Sequence, residues 1–115
     1  METYKVDIDQ LERESIQEKV NESFINTLVK RLLYTLSKDK YAATKRDYFL
    51  SAAYAVRDHL VARWIKTQQE YYHQNVKRIY YLSMEFLMGR ALGNNLINLG
   101  LYDDCMEGLE EAGLN

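Results

Sequence analysis

There is no proline anywhere in the 115 residues, and cysteine and tryptophan occur once each, as Cys105 and Trp64. Without proline, nothing in the chain interrupts a helix by removing a backbone donor, so long helices are unopposed. A lone cysteine excludes an intrachain disulfide, and no charged-then-apolar leader opens the sequence, so the chain reads as cytoplasmic. Basic excess is missing too: 15 Lys and Arg against 17 Asp and Glu leave a net charge of -2. That is not the footprint of a nucleic-acid binder. No apolar run approaches the roughly 20 residues of a membrane span. No pattern of His, Cys and acids suggests a metal site. What is present is 47% hydrophobic and 28% charged residues, ordinary for a globular chain, and ten tyrosines. Tyrosine joins an apolar ring to a hydroxyl that needs a partner, which suits interfaces first and sugar contacts second.

The pattern predicts a mainly helical chain. Residues 1–14, "METYKVDIDQLERE", are polar without a sustained period and read as a flexible arm, with 15–115 as one continuous region. Val20, Phe24, Leu28, Leu32 and Leu36 recur every fourth position and predict one helix of about six turns from Ser15 to "SKDK". Thr44 and Asp47 form a capping box that opens a second, long helix, with Phe49, Ala53, Val56, Leu60 and Trp64 as its core stripe and Asn75 as its stop. "VKRIYYLS", Val76 to Ser83, is dense in β-branched and aromatic residues and predicts a strand. Glu85 to about Leu99 and Tyr102 to Ala112 read as two further helices, the second closed by Gly113.

The stretch "KRIYYLSMEFLMGRALGNNLINLGL" and the helix before it, "RDYFLSAAYAVRDHLVARWIKTQQEYY", together resemble the N-terminal region of the α-glucan phosphorylases, the glycogen, starch and maltodextrin phosphorylase family. The resemblance covers about residues 30 to 103. It implies a fold in which these helices and the first strand begin a two-domain α/β enzyme of the glycosyltransferase B type. It implies an activity that uses inorganic phosphate to release glucose 1-phosphate from α-1,4-glucans, with pyridoxal 5'-phosphate as cofactor and a homodimer as the assembly. The family's cofactor lysine and glycine-rich loop have no counterpart here, so the segment alone is expected to be inactive and to contain no catalytic residue.

Carried over residue by residue, Glu85 matches a glutamate that lines the sugar pocket, and Arg90 an arginine that supports it. Read without the family, Glu85 is a first-turn carboxylate at a positive helix pole. Leu87 stands where animal members have a tyrosine near the cofactor, and so lacks its hydroxyl. Asp39, Gln68, Gln69 and Tyr72 match a nucleotide site at the dimer interface of animal members. Tyr41 and Ala42 depart from that pattern, leaving the site vestigial. Ser15, flanked by acids in "ERESIQE", lacks the basic context of the animal regulatory serine. Together these imply an enzyme without those controls, of bacterial or plant character. Two other readings fit the composition: a self-standing helical interaction or dimerisation module, and an all-α carbohydrate-binding domain that uses the tyrosines.

Overall fold

The computed structural model describes residues 6–114, which form five α-helices and one π-helical turn with no β-strand among them. Helix α1 spans Ile8–Asn21 and α2 Phe24–Lys30, followed by the π turn Arg31–Thr35. Helix α3, Lys45–Gln74, is the 30-residue spine; α4 is Leu92–Leu99 and α5 Tyr102–Glu111.

The proposed arm lies outside the described residues for 1–5, and from Ile8 onward it is helical. Asp7 caps α1 by accepting a hydrogen bond from the Gln10 amide at 3.2 Å, and Gln10 bridges to Glu14 one turn later. This helix escapes a periodicity reading because it buries no residue: its stability is in caps and i,i+4 pairs, not in an apolar stripe. The six-turn helix expected from Ser15 is broken at Glu22 and Ser23. Glu22 has an extended backbone (ψ 136°), and the Ser23 hydroxyl accepts from the Asn26 amide to start α2 afresh. The far end of that helix then widens into the π turn and closes at Ser37, which sits at φ 56°.

Helix α3 starts as the sequence indicates. The Thr44 hydroxyl accepts from the Asp47 amide, and the Asp47 carboxylate accepts from the Thr44 amide at 2.8 Å. It stops at Asn75, whose left-handed backbone (φ 49°) is a conformation asparagine tolerates better than most residues. Of the expected stripe, however, only Val56 is buried in the core. Ser51, Ala52, Ala55, Val56, His59 and Ala62 point inward, whereas Phe49 and Trp64 are 60% and 57% exposed. Small residues allow α2 to approach closely, so the core is built from Phe24 and Leu28 of α2, the alanines and Val56 of α3, Leu96 of α4 and Cys105 of α5. Phe49, Leu60 and Trp64 of that stripe stay exposed.

The remaining helices agree in part. Helix α5 falls where expected, and Gly113 (φ 71°) follows it. Helix α4 begins only at Leu92, so Glu85 to Ala91 is not helical. Gly100 (φ 70°) turns the chain from α4 into α5, with the Leu101 amide reaching back to the Leu96 carbonyl at 2.9 Å. Arg63 of α3 donates to the Leu99 carbonyl at 2.7 Å, placing a cation at the negative end of α4. No helix is long and apolar enough to cross a membrane among the described residues.

Candidate functional site

Glu85, Leu87 and Arg90 fall on one connection, the segment between α3 and α4. It leaves α3 under control. Arg78 donates from Nη1 to the Gln68 side-chain oxygen at 2.8 Å, and its guanidinium lies 5.9 Å above the ring of Tyr71. Beyond Arg78 control ends. Ile79, Tyr80, Tyr81, Leu82, Met84, Phe86, Leu87 and Met88 are between 65% and 104% exposed. The strand expected over Val76 to Ser83 is therefore not formed. Its side chains are those of a strand buried on both faces, and the described residues supply no neighbouring strand to pair its backbone.

Glu85 sits in the middle of this segment. Ser83 shapes the backbone there: its hydroxyl donates to the Glu85 carbonyl at 2.9 Å and accepts from the Glu85 amide at 3.1 Å. The Glu85 carboxylate and the Arg90 guanidinium are both exposed and make no hydrogen bond or ion pair among the described residues. The geometry thus excludes the helix-capping role for Glu85, because no helix begins near it. It brings Glu85 no side-chain partner among the described residues.

The four residues of the nucleotide-site match are not brought together. Asp39 organises the loop before α3, its carboxylate accepting from the amides of Tyr41 and Ala42 at 3.0 and 2.9 Å. It shares a cleft with Tyr48. Gln68 is twenty positions further along α3, which at about 1.5 Å per residue is about 30 Å away. Gln69 is half-buried, and Tyr72 is 79% exposed with only an edge contact to His73 at 5.9 Å. No single small ligand on one chain reaches both ends.

The structure also places a charged cluster at the α1–α2 break. Glu22 lies 2.6 Å from both Lys19 and Lys30, while Asp58 of α3 meets Arg31 at 2.7 Å and Lys19 at 3.4 Å. Burial alone would raise the Glu22 pKa, but the two lysines outweigh it and hold the group at about 2. Beside the cluster, His59 is buried against Thr27, with Nε2 and Oγ1 3.4 Å apart. The Thr27 proton is committed to the Ser23 carbonyl at 3.1 Å, so Nε2 of His59 carries the hydrogen in that contact. Burial, followed by the nearby Lys19, lowers the His59 pKa and keeps the ring neutral. The spacing of Lys19 and Glu22 and the helix-start signal at Ser23 were the legible traces of this cluster. No group of three potential metal ligands occurs among the described residues.

No protein-family model matches the chain. Curated relatives do. It is 56% identical over 86 residues to "Glycogen phosphorylase, brain form" of Bos taurus and of Homo sapiens, and equally to "Glycogen phosphorylase, liver form" of Bos taurus. Each match takes in 75% of this chain and 10% of the relative, so the chain spans about a tenth of the length of the curated relatives it matches.

Proposed function

Because the chain belongs to the glycogen phosphorylase family, we propose that it is the N-terminal helical portion of an enzyme that releases glucose 1-phosphate from α-1,4-glucans with inorganic phosphate. The observation that carries this is 56% identity sustained over 86 residues. In this reading Val76 to Ser83 becomes the first strand of a glycosyltransferase B type sheet once the rest of the polypeptide supplies its neighbours. The assembly is a cytoplasmic homodimer, whose N-terminal helices offer Phe49 and Trp64 to a partner copy.

Pyridoxal phosphate is the cofactor of this reading, and it supplies a phosphate that takes part in proton transfer at the reacting bond. Three of the described lysines do not fit it. Lys19 and Lys30 are held by carboxylates, and Lys45, at the rim of an apolar groove, faces Tyr48, Phe49 and Val56 with no set of phosphate donors. In this reading the cofactor's anchor lies in polypeptide beyond these residues, and the segment alone is expected to be inactive.

What this chain contributes is Glu85, an acceptor for sugar hydroxyls, with Arg90 supporting the same turn. One carboxylate cannot run the two-carboxylate chemistry of glycoside hydrolysis. In the full-length polypeptide, Glu85→Ala is expected to lower kcat for phosphorolysis by about tenfold or more with little change in Tm, since a pocket contact acts on the reacting sugar. Unchanged turnover would remove Glu85 from the pocket, and a lowered Tm with normal turnover would make it a structural residue.

A further inference from the structure

Among the described residues, three polar side chains lie in the core, Thr27, Ser51 and His59. Ser51 is satisfied within its own helix, its hydroxyl donating to the Asp47 carbonyl at 2.8 Å. Thr27 of α2 and His59 of α3 instead meet across the helix interface, 0% and 5% exposed. Thr27 gives its proton to the Ser23 carbonyl, so the contact needs Nε2–H of the ring as donor and leaves Nδ1 of the neutral ring without a proton. A second proton would go to Nδ1, which has no hydrogen-bond partner among the described residues. A buried cation without a partner is costly.

The surrounding charges do not relieve that cost. Glu22 and Asp58 favour a positive ring, but Glu22 is engaged by Lys19 and Lys30 and Asp58 by Arg31 and Lys19. Arg63, one turn beyond His59 on α3, opposes a positive ring and is tied to the Leu99 carbonyl at 2.7 Å. Asp104, Glu107 and Glu111 of α5 line the cleft that His59 borders; all three are exposed, so water and salt screen them. Helix α4 carries no charged residue.

We propose that the His59–Thr27 contact is a proton-sensitive joint: the neutral ring fastens α2 to α3, and uptake of a second ring proton in mildly acidic solution loosens that packing. Histidine is the side chain whose charge changes in this range, and its burial in the α2–α3 interface makes the change an event of the core.

Urea denaturation of the whole chain between pH 7.5 and 5, at one protein concentration, tests this. Unfolding returns His59 to its ordinary value of 6.5, above its folded value, so the unfolded chain takes up the proton first. The stabilisation is therefore complete above about pH 6.5 and is lost as pH falls through the folded value. The folding equilibrium constant is expected to drop by at most about tenfold per pH unit over that window. His59→Gln, which keeps an N–H donor and cannot titrate, is expected to abolish this dependence. The contribution of Glu22 lies below pH 4.5 and does not overlap. An NMR titration of the His59 ring in the parent, with His73→Gln assigning the signals of the chain's two histidines, is expected to give a midpoint below 6.5. The proposal is overturned by a midpoint at or above 6.5, or by a His59→Gln chain that keeps the parent's pH dependence. If His59→Gln does not fold, the midpoint in the parent decides alone.

Discussion

A charge that no sequence motif marks can be fixed by the fold. Glu22 shows why. In the sequence it is one of several acids on a polar helix face; in the structure it sits at a break between helices, where both neighbouring turns direct a lysine at it. Its folded pKa of about 2 lies below its ordinary value of 4.5, so the folded state binds fewer protons. The stability this supplies is complete above about pH 4.5 and is lost as pH falls toward 2, at a slope of at most about 1.4 kcal/mol per pH unit. The stability gap between the parent and Glu22→Gln is therefore expected to close, by no more than about 3 kcal/mol, as denaturation is measured from pH 5 down to 2. A gap independent of pH would show that Glu22 is not held by the lysines. Glu85 is the opposite case. Its recognition came from resemblance, because its exposed carboxylate has no partner among the described residues from which a role could be read.

Elements were legible in proportion to how much of their stabilisation is local. Helix α3 announces both ends, through the Thr44 and Asp47 capping box and the left-handed Asn75, and both are where the sequence puts them. Thr44→Ala is accordingly expected to cost about 1 kcal/mol in equilibrium denaturation, by removing the acceptor for the Asp47 amide. A change below a few tenths would mean that α3 is held by packing alone. The face of α3 was misread for a physical reason: apolar periodicity weights large side chains, whereas close helix packing selects the small ones at 52, 55 and 62. The α1–α2 break was misread because Val20 and Phe24 keep the four-residue apolar spacing across it. The strand was misread because local propensity names a strand but cannot provide the backbone partners that make one.

At the scale of the whole molecule, the chain looks incomplete as a folding unit. Its accessible surface is 9936 Å², where a compact monomer of 13.6 kDa exposes about 6,600 Å². Its radius of gyration is 17.6 Å against about 13 Å for a compact chain of this length. The excess is apolar in two places, the outward stripe of α3 and the segment from Ile79 to Met88, and the second also carries unpaired backbone groups. An unpaired, flat, apolar segment is a template for pairing with another chain. The 115 residues alone are therefore expected to be at least dimeric, and Tyr80→Lys is expected to weaken the association by placing a charge on that edge. Sedimentation across about a hundredfold range of concentration checks both statements. A parent that stays monomeric throughout, with a sharp two-state melt, would instead describe a self-standing helical module, and the exposed segment would then need a role other than that of a strand awaiting its sheet.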